Sequence, residues 1–307
     1  MKVIVTGGAG FIGSHLAEAL IKEGRKVTVI DNLTTGFADN VPEEAEFYKM
    51  DIRQPEIIDF IGSQSFEAIF HLAAQVDVRI SVAQPLTDMQ VNIAGSLALL
   101  ECCRRYNIKH FIFASSGGTV YGEQQYFPAD EKHPLNPVSP YGIAKLAVEK
   151  YSYYYNLDFN INTTMLRLGN VYGPRQNPFG EAGVVAIFCR HLLDGKQPII
   201  NGDGLQTRDY VYIDDVVNAF VRSLHNKGFN AFNIGTGKET DVVTLFDQLN
   251  AMAGNRFKRT HRKAAPGEQL RSCIDPALAG ERLGWKPKVK IEDGLKQTFE
   301  YFNQNLR

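Results

Sequence analysis

Cysteine is scarce in this chain and poorly spaced for a metal. Cys102, Cys103, Cys189 and Cys273 form no Cys-x-x-Cys pair, so no zinc site and no disulfide framework is expected, and the reading is of buried thiols in a reducing compartment. Adjacent Cys102 and Cys103, on an expected helix, point to different faces. No apolar run is long enough to span a membrane. The chain opens directly as a strand, MKVIVTG, which leaves no room for a signal peptide, and a cytoplasmic protein is expected. Blocks of one charge are missing too: 33 Lys and Arg stand against 34 Asp and Glu, so neither a nucleic-acid face nor an anionic-membrane patch is expected. The densest basic stretch, NRFKRTHRK from Asn255 to Lys263, reads as a solvated face. Internal repeats, low-complexity tracts and flexible linkers are also lacking.

What is present is an alternation. Short apolar runs, KVIVT, KVTVI, AIFHLA and HFIFAS, are separated by segments of helical period, among them a helix from about Phe11 and a long one from Val91 to Tyr106. Strands divided by helices imply right-handed crossovers and a parallel sheet covered on both faces. A helix over Pro140 to Tyr155 leads into the strand NTTMLRL. The fold class expected is α/β, a Rossmann-like doubly wound parallel sheet. After Asn170 the rhythm breaks at Pro174, Pro178, Gly180 and Gly183. The expected division is therefore a dinucleotide-binding domain over residues 1–170 and a smaller α/β substrate lobe over 171–307, lying across the carboxyl ends of the strands.

The segment TGGAGFIGS sets Gly7, Gly8, Gly10 and Gly13 between the first strand and the first helix. Backbone without a Cβ lets a pyrophosphate approach the helix amides, and the last glycine lets helix and strand pack closely. Asp31 closes the second strand, about twenty residues on, where an acid hydrogen-bonds the adenosine ribose. A carboxylate there repels a 2′-phosphate, so NAD is expected rather than NADP. Asp51 and Ile52 close a further strand and are expected at the adenine. HLAAQ, with Leu72, Ala73, Ala74 and Gln75, is expected beside the pyrophosphate.

Tyr141 and Lys145, in SPYGIAK, lie one turn apart on one helix face. The neighbouring ammonium and a positive nicotinamide ring both favour phenolate, so the Tyr141 pKa is expected to fall toward neutrality and make a general base. No metal is expected.

Together TGGAGFIGS, DNLTTG, HLAAQ, SSGGTVYG, YGIAK, GNVYGPRQNP, RDYVYIDDV and PGEQLRS give the chain, over almost its whole length, a resemblance to the UDP-glucose 4-epimerase family of the extended short-chain dehydrogenase/reductases. The resemblance implies tightly held NAD and 4-epimerisation of a UDP-hexose, UDP-glucose/UDP-galactose or the N-acetyl forms, through a transient 4-keto sugar. It implies Tyr141 as acid/base and Lys145 bridging Tyr141 and the nicotinamide ribose. Further cofactor contacts are implied at Gly7, Gly10, Phe11, Ile12, Gly13, Asn32, Thr35, Gly36 and Asn92. Many epimerases carry Ser or Thr where this chain has Gly117, so the hydroxyl that meets the sugar is assigned to Ser116, with Ser115 as the substitute. Related dehydratases and decarboxylases carry one or two carboxylates just before VYG, whereas Gly118 and Thr119 stand here. Elimination of water needs an acid and base beyond the redox pair, so those reactions are disfavoured. Substrate contacts are implied at Val184, Asn201, Asn170 and Arg208 for the diphosphate, and Glu268 for the uridine ribose. Ala265 stands near the place of a second arginine, for which Arg271 is the candidate compensation. Ser272 takes the place of a gate residue beside the sugar. An epimerase of uronic acids or a 4-ketosugar reductase is the near alternative; an NAD-binding regulator would typically lack the Tyr141 and Lys145 pair. The family usually pairs two subunits through helices that here are Val91 to Tyr106 and Pro140 to Tyr155, which implies a homodimer.

Overall fold

The computed structural model describes residues 1–179, 183–264 and 269–305. The first half runs β1 (Lys2–Thr6), α1 (Phe11–Lys22), β2 (Lys26–Asp31), β3 (Glu46–Lys49), α2 (Glu56–Gly62) and β4 (Ala68–His71). It continues through α3 (Val78–Ala83), α4 (Pro85–Met89) and α5 (Ser96–Arg105) to β5 (His110–Ser116), α6 (Pro140–Phe159) and β6 (Asn162–Leu168). The second half holds β7 (Asn170–Tyr172), α7 (Val184–Leu193), β8 (Ile200–Asn201), β9 (Thr207–Arg208), β10 (Tyr210–Tyr212), α8 (Ile213–Ser223) and β11 (Phe229–Ile234). After these come β12 (Thr240–Asp241), α9 (Val242–Met252), β13 (His261–Arg262), β14 (Arg271–Ser272), α10 (Ala277–Leu283) and α11 (Ile291–Asn305).

The main sheet has the order β11-β6-β5-β4-β1-β2-β3, and its neighbouring strands pair in parallel. The order reverses between β1 and β4, the crevice where such sheets bind ligands. Along β1 the side chains alternate between two cores: Val3 and Val5 face one side with Leu16, Val27 and Phe70, while Ile4 faces the other with Ile69, Phe111 and Met165. That alternation, apolar on both faces, is what makes these strands read as unbroken hydrophobic runs.

β11 comes from beyond the expected boundary at residue 170, yet it is the edge strand of the main sheet. Its register with β6, from Phe229↔Thr163 to Ile234↔Leu168, buries Phe232 and Ile234 completely or nearly so. The expected split at 170/171 thus misassigns this strand, because burying an apolar edge outweighs chain order. The core that contains Val3 also continues through Phe220, Phe246 and Trp285, so the sheet and the later elements share apolar packing.

The helix expected over Val91 to Tyr106 begins earlier and is not uniform. Pro85 opens α4, the wider π turn Gln90–Gly95 follows, and α5 ends at Arg105. Ser96 Oγ, at the start of α5, donates back to Asn92 O of that turn at 2.7 Å, the kind of side-chain insertion that distorts a helical ladder. α6 likewise runs to Phe159, four residues past the expected end. The strand expected to close at Asp51 and Ile52 ends at Lys49.

Candidate active site

Gly7 adopts φ +71°, and a Cβ there would lie 2.7 Å from Ala73 N. A Cβ on Gly13 would come within 2.1 Å of Gly7 O. Both contacts join β1, α1 and β4 at the crevice with backbone against backbone. Gly10 leads into α1 with no side-chain cap, so the N-terminal turn at Phe11, Ile12 and Gly13 keeps its amides for an anion. Asp31, 8% exposed, accepts from Ala9 N at 3.0 Å through Oδ2 and from Leu33 N at 2.8 Å through Oδ1, tying the glycine turn to the end of β2. Gly36 packs on Ala9 and Thr35 is exposed beside it. This cradle fits a dinucleotide: a Cβ at Gly7 or Gly13 would strike backbone and force the turn apart from β4 or α1.

Asn32 donates to Asp51 Oδ2 at 3.0 Å, and Arg53 pairs with the same carboxyl at 2.7 Å, holding Asp51 well below the usual carboxylate range. The Ile52 side chain is buried in the core with Ile57, Ile61 and Leu99. From β4 the polar path turns inward. His71 lies between Thr6 Oγ1 at 2.7 Å and Ser96 Oγ at 2.8 Å. Ser96 spends its proton on Asn92 O, so His71 donates from Nε2 and accepts at Nδ1, and burial holds its pKa at about 3. Asn92 accepts from Gln75 N at 2.9 Å and donates to Gln75 O at 2.9 Å, pinning that backbone at the mouth of the crevice next to Leu72, Ala73 and Ala74.

α6 starts where Ser139 accepts from Gly142 N at 3.1 Å and Pro140 fills the first position, a start signal that fixes Tyr141 in the opening turn. Lys145 Nζ donates to Ala114 O at 2.9 Å and stands 5.5 Å from the Tyr141 ring centroid. The expected fall in the Tyr141 pKa is reversed in the protein alone. Burial and then the charge of Asp88 push the phenol up, while burial brings Lys145 down to about 8. The ammonium is held by a carbonyl of β5 at that distance from the ring, so it does not outweigh desolvation.

The two serines separate cleanly. Ser115, 3% exposed, donates to Glu149 Oε1 at 2.6 Å inside a buried network in which Arg167 pairs with Glu149 at 2.7 Å. Ser116 projects from the opposite side of β5. A Cβ built on Gly118 would lie 4.0 Å from Ser116 Oγ and 4.0 Å from Asn170 Oδ1, with no closer neighbour. Gly118 is therefore an open stretch of wall between those two polar groups.

At the far end Arg208 sits between β12 and β14, in register with Thr240 and Ser272. Its Nη1 donates to Thr207 O at 2.8 Å. Ser272 is buried. Arg271 does not join Arg208: neighbouring strand residues face opposite ways, and its guanidinium pairs with Glu239 at 2.6 Å and lies 3.9 Å over the Phe127 ring. Compensation of Ala265 by Arg271 is corrected accordingly. Asn201 Oδ1 accepts from Arg262 Nε at 2.6 Å, and Val184 opens α7, half-buried. Ala265 and Glu268 lie outside the described residues. Arg262 belongs to the basic stretch read as solvated; within it Arg259 also pairs with Asp247 and Arg256 donates to Leu192 O at 3.2 Å, so the stretch staples the later elements together.

The sequence reading missed Asp88. It is 1% exposed and accepts from Gln75 Nε2 at 3.0 Å and Asn92 Nδ2 at 2.8 Å. Its spacing of four from Asn92, on one helical face, was the available signal.

The model of the NAD dependent epimerase/dehydratase family matches residues 3–235. The chain is 45% identical over 305 residues to a putative UDP-glucose 4-epimerase of Methanocaldococcus jannaschii, covering 99% of each. The crystal structure of UDP-glucose 4-epimerase with UDP-glucose from Thermotoga maritima is 46% identical, with a TM-score of 0.98 and 100% of both chains covered. That of Thermus thermophilus UDP-glucose 4-epimerase in complex with NAD is 38% identical, with a TM-score of 0.94 over 99% of this chain and 100% of the other.

Proposed function

The chain belongs to the NAD dependent epimerase/dehydratase family, and we propose that within it the protein interconverts UDP-glucose and UDP-galactose by inversion at carbon 4. The observation that carries the reading is the bare wall at Gly118, where a side chain would have room beside Ser116 and Asn170 and no carboxylate stands to drive elimination. With Gly118 and Thr119 in place of that acid and base, the chemistry left is oxidation and re-reduction at one carbon.

Gly7, Gly10, Gly13 and the first turn of α1 would hold the NAD pyrophosphate, Asp31 the adenosine ribose, and Lys145 the nicotinamide ribose. When bound, NAD supplies the acceptor and donor of hydride; everything else falls to side chains. Tyr141 takes the proton of the sugar's 4-hydroxyl and returns it, and Ser116 orients that hydroxyl. Asn170 and Arg208 grip the diphosphate, Arg208 as a fixed charge. Strong hold on the diphosphate with weak hold on the hexose lets the 4-keto sugar turn over and present its other face. A buried serine at 272 leaves room for an N-acetyl group, so UDP-N-acetylglucosamine is a further substrate; S272Y is expected to lower the ratio of N-acetyl to plain-sugar turnover, and an unchanged ratio removes Ser272 from the gate. The protein is a cytoplasmic homodimer serving galactose metabolism. Support for pairing is the exposed apolar outer face of α6, with Tyr151, Tyr153, Tyr154 and Leu157, beside α5. Among the described residues no helix is long and apolar enough to cross a membrane.

The test is incubation of the purified protein with UDP-galactose, without added cofactor, followed by proton NMR. UDP-glucose is expected to appear up to equilibrium with no free NADH. Accumulation of free NADH would point to a reductase that exchanges cofactor, and conversion of UDP-glucuronate in place of UDP-galactose would move the substrate to uronic acids.

A further inference from the structure

Asp88 is a buried carboxylate that the mechanism above leaves unused. It lies on α4, which packs against α6, and both bonds it accepts, from Gln75 at 3.0 Å and Asn92 at 2.8 Å, fall on the same oxygen, Oδ1. Asn92 also clasps the Gln75 backbone from both sides, so the carboxylate is fixed by groups that are themselves fixed. Through Ser96 and His71 the same network reaches Thr6, next to the glycine turn. A carboxylate is not kept in such a place without charge or hydrogen-bond compensation. Lys145, 3% exposed, is the cation its field reaches, and Tyr141 is the other group. Of the other charges on the packed elements, Asp77 is paired with Arg79 and Glu149 with Arg167, Lys150 and Asp158 lie further along α6, and His71 is neutral.

We propose that Asp88 is a positioning residue for the proton-transfer pair: held by Gln75 and Asn92, it keeps a fixed negative charge on α4, against the helix that carries Lys145 and Tyr141. The ammonium is thereby kept charged, and the phenol keeps its proton until the positive charge of bound cofactor offsets Asp88. The proposal rests on the reading of Tyr141 as acid/base, and the experiment separates the two.

A negative neighbour raises the pKa of both a phenol and an ammonium, so D88N lowers both. The readout is the ultraviolet absorbance of tyrosinate in the NAD-loaded protein as pH is raised, wild type minus Y141F, compared with D88N minus D88N/Y141F. The transition belonging to Tyr141 is expected to move down by about one pH unit in D88N, and the bell of kcat against pH to move with it as a whole. D88E, which keeps the charge, restores the wild-type midpoint. Loss of height without displacement, with NAD retained, means that Asp88 is structural only and overturns the proposal. Absence of a Tyr141 transition in the wild type overturns the reading of Tyr141 and the proposal together; a transition present but unmoved in D88N overturns the proposal alone. If D88N does not fold, D88S is titrated in its place and read the same way.

Discussion

Two adjacent serines on β5 carry different duties because a strand turns neighbours to opposite faces. Ser115 is spent on Glu149, while Ser116 shares the wall of the cleft with Asn170 across Gly118. S116A is therefore expected to lower kcat by about tenfold to a hundredfold, the loss of one hydrogen bond strengthened in the transition state being worth ~1.5–3 kcal/mol. S115A should leave kcat within a few fold and cost about 1–3 kcal/mol of stability, since a buried carboxylate loses a donor. Steady-state kinetics together with urea unfolding tell the two apart; equal kcat losses would return Ser115 to the site. The sequence reading chose Ser116 and kept Ser115 as the substitute; the partner that occupies Ser115, Glu149, lies 34 residues away on α6 and is not visible in the local pattern. Arg271 was misjudged for the same reason: its acid, Glu239, is 32 residues distant.

At the scale of elements, α6 does two jobs with one surface. Its first two turns present Tyr141 and Lys145, and the third presents Glu149 to Arg167 of β6, a pair whose side chains are 2% and 5% exposed. Tyr121 extends the network, accepting from Arg167 Nη1 at 3.0 Å and donating to Asn233 on β11 at 2.6 Å. R167M, which leaves the Glu149 charge buried without its partner, is expected to cost about 3–5 kcal/mol, measured as a fall in the urea midpoint at unchanged slope. A loss under about 1 kcal/mol would show that the pair is not needed to hold α6 on the sheet. The start of α6 at Pro140 was legible, because a proline suits the first position of a helix by local chemistry alone. The π turn over Gln90–Gly95 was not, because the groups that engage it, Ser96 on the Asn92 carbonyl and the Gln75 backbone on the Asn92 side chain, meet only in the folded chain.

For the whole molecule, the outer face of α6 leaves Tyr153 and Tyr154 48% and 46% exposed, and the proposed pairing of two copies would cover them. Y154E is expected to halve the mass seen by light scattering after gel filtration, at wild-type NAD content; an unchanged dimer would place the interface elsewhere. The sequence by itself determined the parallel sheet, the glycine turn with Asp31, and the helix that carries Tyr141 and Lys145, since each rests on spacing within one segment and on periodicities of two and 3.6 residues. Only the tertiary structure decided that Ser115 is taken up by Glu149, that β11 returns to the main sheet, that Arg271 pairs with Glu239, and that Asp88 is buried against Gln75 and Asn92. Those outcomes depend on burial and charge compensation between segments far apart in the chain, and no local pattern encodes which distant partner will be there.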